Sequence, residues 1–233
     1  MTATRPVVEL SAVSKDYHGL RPLRIAALAI AEAENTAIVG VDAPMAETLV
    51  NLVTGAVLPD RGDVRLFGRP TSEITDSADW LAVVDRFGIV SERAVLLEPL
   101  SVVQNLSMPF TLEIEPPPED VRQRAEALAR EVGLPERSWE RPVAELGAAA
   151  RAQLRLGRAL ALGPAVVIFE HVNAAIPRTE WTGVGRHLRS TLAARRTASL
   201  VLTADKTFAA SAAERVLMLD AATGRLSESR RWF

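Results

Sequence analysis

The sequence is 233 residues long, 48% apolar and 24% charged, which is enough to bury a full core. A formal net charge of −2 argues against a nucleic-acid binder that works by neutralising phosphates. There are no cysteines, so there is no disulfide framework, thiol nucleophile or thiolate metal site.

The opening segment, MTATRPVVELS, has no apolar core of signal-peptide length. No run approaches the roughly 18 uncharged apolar residues of a membrane span. The expectation is a soluble protein with no direct membrane insertion, reaching a membrane only through a partner.

Val7 to Val13 alternates as a strand, Lys15 to Leu20 reads as a turn, and Leu23 to Ile30 is a second strand. Glu32 to Thr36 links tightly into an apolar strand, Ala37 to Val39. A loop from Gly40 to Ala46 follows, then an apolar helix that ends near Gly55.

Strand, short loop and helix in that order are the frame of a phosphate-binding loop. Its working form is G-x-x-x-x-G-K-[ST]. The glycines let backbone N–H groups curl round phosphates, the lysine reaches the β and γ oxygens, and the hydroxyl holds Mg²⁺. Here Gly40 keeps the first glycine, but Met45, Ala46 and Glu47 stand at the second glycine, the lysine and the hydroxyl, with Thr48 next. Pro44 removes one N–H donor, and Glu47 brings a negative charge to where a triphosphate would sit. The frame is kept and its chemistry is not.

Leu58 to Gly62 is a turn, Asp63 to Phe67 a short strand, Asp76 to Val84 a helix and Phe87 to Val90 a strand. Ser101 to Met108 reads as a short helix with Ser101 as its N-cap. After Pro116 to Pro118, Glu119 to Val132 is amphipathic, with Ala125, Leu128, Ala129 and Val132 on one face. From about 92 to 162 the pattern is helical, which predicts an inserted helical subdomain.

Glu145 to Leu162 reads as one long helix stopped by Gly163-Pro164. Its arginines between Arg151 and Arg158 recur at helical spacing and read as a solvated face. Ala165 to Phe169 is a buried parallel strand. Helix Glu180 to Ala194, strand Ser199 to Thr203, helix Lys206 to Ala213 and strand Arg215 to Asp220 complete an α/β pattern, and Gly224 marks a last hairpin. His18 and His187 read as ordinary surface or helix residues, and Trp232-Phe233 as a frayed tail. Glu170, His171 and Asp205 lack any metal-ligand spacing, so no metal is expected.

The order of elements resembles the ATP-binding subunit of an ABC transporter across essentially the whole chain. The resemblance is carried by TGAVLPDRGDVRLFGRP (Thr54 to Pro70), LEPLSVVQNLSMPF (Leu97 to Phe110), RALALGPAVVIFE (Arg158 to Glu170) and AAERVLMLDAATGRL (Ala212 to Leu226). It implies an α/β, ABC-type P-loop NTPase fold in one domain over residues 1–233. An N-terminal antiparallel β subdomain and a RecA-like parallel core would occupy 1–91 and 163–233, with the helical subdomain inserted at about 92–162. The NLSMPF stretch is similar to the branch that serves lipid or lipoprotein extraction and small exporters.

The same resemblance places the remaining site motifs. The family's LSGGQ falls on Leu146, Gly147, Ala148, Ala149 and Ala150, and its Q-loop glutamine on Glu92. The Walker B aspartate and the catalytic glutamate fall on Glu170 and His171, the D-loop aspartate on Pro177 and the switch histidine on Ala204. Tyr17 holds the place of the aromatic residue that stacks on adenine. The groove for a permease would be lined or supported by Glu92, Leu96, Leu97, Leu100, Val103 and Met108.

Losing one positioned donor to a developing oxyanion costs roughly 2.7–4 kcal/mol, and several such groups are missing together. The expected function is that of a pseudo-ATPase, not an enzyme. It would act as a structural or regulatory partner of a transmembrane permease or a second ABC ATPase subunit, at the inner face of the cell membrane. ATP and Mg²⁺ are expected only if the rewritten loop still binds them. The alternative is the non-catalytic half of an asymmetric ATP-hydrolysing heterodimer, and pairing with itself stays open.

Overall fold

A computed structural model describes residues 6–228. The tail at Trp232 and Phe233 lies outside the described residues. Strand β1 (Pro6–Lys15) pairs antiparallel with β2 (Leu23–Ala31), as the alternation of the first thirty residues predicts. On β1, Val8, Leu10 and Val13 face inward, and on β2, Leu23, Ile25, Leu28 and Ile30 do the same.

Strand β3 (Asn35–Val39) is buried at every position and feeds α1 (Ala43–Val53). Next come β4 (Arg61–Leu66) and β5 (Arg69–Pro70), the second a two-residue strand too short for any periodic signal. Helix α2 (Ser77–Val84), capped by Asp76, leads to β6 (Phe87–Ser91). β1, β2, β4 and β5 form one antiparallel sheet in the order β2-β1-β4-β5.

Between β6 and the next strand the chain carries three helices: α3 (Val102–Ser107), α4 (Glu119–Glu131) and α5 (Ala148–Leu160). Ser101 caps α3 in a full capping box with Gln104. Ala125, Leu128, Ala129 and Val132 are buried, as the amphipathic pattern predicts. The long helix expected from Glu145 is shorter. Val143–Glu145 form a 3-10 turn, and Leu146 and Gly147 are extended, so the helix begins only at Ala148.

The chain closes with β7 (Val166–Glu170), α6 (Trp181–Arg195), β8 (Ala198–Thr203), α7 (Lys206–Ala212), β9 (Arg215–Asp220) and β10 (Arg225–Glu228). The larger sheet has the order β10-β9-β3-β8-β7-β6, parallel except for β10. It is covered on both faces. Ala37 and Val39 of β3 join the core shared with α3, α4, α5, α6 and α7. Ile38 points the other way, into the core shared with α1 and the antiparallel sheet. Two-sided burial explains the continuous apolar runs of β3, β7 and β8. On one of these faces α6 and α7 pack so closely that a Cβ at Gly185 would fall 2.0 Å from Ser211 Oγ.

Candidate functional site

The site lies at the C-terminal ends of the parallel strands, where open α/β sheets bind ligands. Gly40 leaves β3 at φ +94°, and a Cβ there would sit 3.1 Å from the Leu219 carbonyl, so the position demands glycine. The loop expected to run to Ala46 is shorter. Asp42 caps α1, its carboxylate accepting the Met45 N–H at 2.9 Å, and the helix starts at Ala43. Pro44 sits in the first turn, where its fixed φ suits a helix start and the missing N–H costs least.

The early start changes what the motif positions face. Ala46, at the lysine position, is completely buried and belongs to the core beneath the sheet. The Thr48 hydroxyl is turned back onto the Pro44 carbonyl at 2.8 Å. Met45 is half-buried, and Glu47 is exposed on the second turn of α1.

Glu47 has a partner that the sequence did not announce. Arg93, one residue past Glu92, places Nη1 2.5 Å from Glu47 Oε1 and Nη2 2.7 Å from Glu170 Oε2, with Nε at 3.2 Å from the same oxygen. One guanidinium thus ties α1 to the end of β7. Glu170 is only 7% exposed, whereas Arg93 and Glu47 are about half exposed. Burial opposes the Arg93 charge, but the hydrogen bond and charge of Glu170, then those of Glu47, outweigh it and raise the guanidinium pKa. No local sequence signal marks Arg93, which lies 77 residues from Glu170.

Glu92 itself turns the other way, to Arg155 of α5, at 2.8 Å. Arg155 also donates to the Ala94 carbonyl, and Arg158 to the Val95 carbonyl at 2.5 Å. The helical arginines are therefore no solvated face. Arg155 is buried, at 8% exposure, and Arg151 pairs with Glu98 at 2.7 Å. They fasten the segment after β6 to α5.

The other expected positions are spread apart. His171 follows β7 with φ +46°, and its Nε2 is buried without a hydrogen-bond partner. Ala204 is exposed just past β8, beside Asp205, whose carboxylate caps α7 through the Thr207 and Phe208 N–H groups. Pro177 begins a 3-10 turn. Gly147 caps α5 with no side-chain bond, so Ala148, Ala149 and Ala150 open that helix, and none of the Arg93 interactions reaches them. Of the groove residues, Leu97 is exposed and Leu100 and Met108 are half-buried. Leu96 and Val103 instead lie in the core and only support the surface.

Tyr17 lies across Gly19, where a Cβ would come within 2.5 Å of its ring. It borders a cavity of about 480 Å³ with Pro22, Asp42, Met45 and Leu219. Burial, and then the nearby Asp42 charge, push the Tyr17 hydroxyl pKa up.

Sheet order, inserted helices and the strand–loop–helix at β3 define the ATP-binding domain of ABC transporters. The ABC transporter family profile matches residues 23–171, and the chain belongs to that family. It is 32% identical to a lipoprotein-releasing system ATP-binding protein, LolD, of Pseudomonas syringae, over 84% of each chain. It is 26% identical to the methionine import ATP-binding protein MetN of Brucella abortus, over 92% of this chain and 58% of that one. Among solved structures, it resembles cbiO1 of Clostridium perfringens, part of the ABC transporter complex cbiONQ. The TM-score is 0.79 and the identity 18%, over 96% of this chain and 87% of that one. The dimeric ATP-binding cassette MJ0796 bound to ADP and Pi gives 0.74 at 21% identity, over 97% and 100%. The structural likenesses establish the fold. Among the described residues, no helix is long and apolar enough to cross a membrane.

Proposed function

We propose that this chain is a non-hydrolysing ABC subunit that holds a transmembrane permease or a second ATP-binding subunit without turning over ATP. The observation that carries the reading is Arg93. Its guanidinium spans Glu47 and Glu170 at 2.5 and 2.7 Å, filling with a protein cation the space between the loop helix and the end of β7. Phosphoryl transfer needs a lysine, Mg²⁺ and backbone donors in place together. Here the lysine position is a buried alanine, and Asp42 already uses the Met45 N–H. The subunit would sit at the inner face of the membrane through its permease. The relatives' names, drawn from a lipoprotein-releasing and an import system, support a partner of that kind.

A second reading is favoured by the start of α5. Gly147 leaves the first N–H groups of that helix without a side-chain cap, and such groups suit an anion. They would face the nucleotide of an intact partner in an asymmetric pair.

Calorimetry with ATP, with and without Mg²⁺, tests the first reading. A ligand that binds only the folded state raises its stability by about 2.7 kcal/mol at a hundredfold excess over Kd. No heat and no shift at millimolar ATP is the expected result. A Mg²⁺-dependent shift would overturn it. The second reading predicts ATP turnover only in a mixture with an intact ATP-binding subunit.

A further inference from the structure

The turn between β1 and β2 borders a cavity of about 480 Å³, closed on its other sides by the first turn of α1 and the end of β9. Its walls are apolar. Leu23 and Leu219 are buried, and Tyr17 and Met45 pack on the same core. This volume lies within the roughly 300–1,000 Å³ of small-molecule pockets. The turn is pinned by the chain itself: the Asp16 N–H donates to Asp60 at 2.7 Å, and the His18 N–H to Asp16 at 2.8 Å. Leu20, on the same turn, is fully exposed where it lines the cavity.

Two polar groups of the lining are left over. Asp42 accepts the Met45 N–H through Oδ1. Among the described residues, its Oδ2 accepts no hydrogen bond, and no arginine, lysine or histidine pairs with it. The Tyr17 hydroxyl has no hydrogen-bond partner among them either, and the Asp42 carboxylate is near enough for its charge to act on that hydroxyl. The arginines at the rim are engaged elsewhere. Arg24 donates to the Ala222 carbonyl at 2.9 Å, and the charge of Arg21 acts on Asp220, both at the turn between β9 and β10.

An unpaired carboxylate beside an aromatic ring and aliphatic walls suits an organic cation. An ammonium or amidinium group would donate to Asp42 Oδ2 in a charge-assisted hydrogen bond. Its apolar body would lie on Met45, Leu219 and the Tyr17 ring, which adds a cation–π attraction. A neutral purine would leave the carboxylate unpaired. A phosphate tail leading from the cavity to α1 would meet the same negative charge.

We infer that this cavity binds a small, non-phosphorylated organic cation with a flat apolar body, held by Asp42 and Tyr17. The inference rests on the non-hydrolysing reading in one respect, that nucleotide does not occupy the cavity. It adds a ligand of its own to a subunit otherwise read as holding a partner.

Tyr17 is the sole tyrosine of the sequence, so ring-labelled tyrosine gives the full chain one set of NMR signals, at the site itself. The probes share one body and differ in charge: naphthylethylamine, the neutral naphthylethanol and the anionic naphthylacetate. The amine should shift the Tyr17 signals saturably, with Kd below about 1 mM. The alcohol should bind about tenfold more weakly, the worth of a hydrogen bond to a charged group, and the acetate more weakly still. Asp42→Asn keeps a good helix cap and removes the charge, so amine and alcohol should then bind alike. Equal binding of amine and alcohol to the unaltered chain, an amine preference that survives Asp42→Asn, or no Tyr17 shift with the amine would overturn the inference. Adenosine binding more tightly than the amine would also overturn it, by making the cavity a purine site. Mg²⁺–ATP is titrated separately: its binding would remove the non-hydrolysing reading, while the amine-to-alcohol ratio is measured without nucleotide and stands or falls alone.

Discussion

Arg93 Nη2 stands 2.7 Å from Glu170 Oε2, and the two residues come from a loop after one strand and the end of its neighbour. Because Glu170 is buried and Arg93 half exposed, the pair combines a desolvated carboxylate with a cation still wetted on one side. Arg93→Ala should destabilise the fold by about 1–3 kcal/mol, the usual cost of leaving a buried polar group without its partner. Glu47→Gln should cost less than about 1 kcal/mol, as an exposed pair does. A double-mutant cycle of Arg93→Ala with Glu170→Gln, read by urea denaturation, should give a coupling of about 0.5 kcal/mol or more. Strict additivity would mean the bridge does not form in solution.

Restoring the phosphate-loop lysine alone should fail. Position 46 faces the core at zero exposure, so Ala46→Lys must crowd packed side chains. The expected loss of stability is about 1–3 kcal/mol, with no heat of ATP binding. Regained ATP binding by this single variant would show that the early start of α1 gives way easily.

Glu34 gives the fold a pH dependence on the acid side. Burial alone would raise its pKa, but the Ala31 N–H, Arg215 and the Thr36 hydroxyl outweigh it and hold it below the usual glutamate value. A lowered native pKa stabilises the fold above the unfolded value, about 4.3 for glutamate. The contribution fades as pH falls through the native pKa. Glu34→Gln should therefore melt lower than the unaltered chain at neutral pH, and the gap should close in melts run below about pH 4.

The close approach of α6 and α7 gives a matched pair of substitutions. Gly185→Ala should cost about 1–3 kcal/mol, because its methyl meets Ser211. Gly183, on the same helix, has nothing within 4 Å of a Cβ. Gly183→Ala should be neutral or stabilise by up to about 1 kcal/mol. Equal effects on thermal melting would contradict the packing described.

Much of this could be read from residues. Period-two patterns marked β1 and β2, continuous apolar runs marked the buried strands, and Ser101 with Gln104 marked a helix start. What could not be read depended on side chains meeting across the chain. Glu47, Arg93 and Glu170 are far apart in sequence, and the resemblance directed attention to Glu92, the neighbour that points away. The start of α1 was hidden for a local reason. A loop motif read by spacing gave no weight to Asp42, a strong N-cap that draws the helix four residues forward. Leu96 and Val103 were apolar residues beside a surface, and periodicity alone does not separate a lining from its support.

Strand β3 also fixes when this protein can become itself. Its two neighbours in the sheet, β8 and β9, lie in the last quarter of the chain. On the ribosome the hairpin of β1 and β2 can close early, yet β3 emerges with both edges bare until β8 and β9 follow. A nascent chain in that interval offers an apolar strand to any bystander. The interval between the release of β3 and that of β9 is therefore when the chain is most exposed to aggregation.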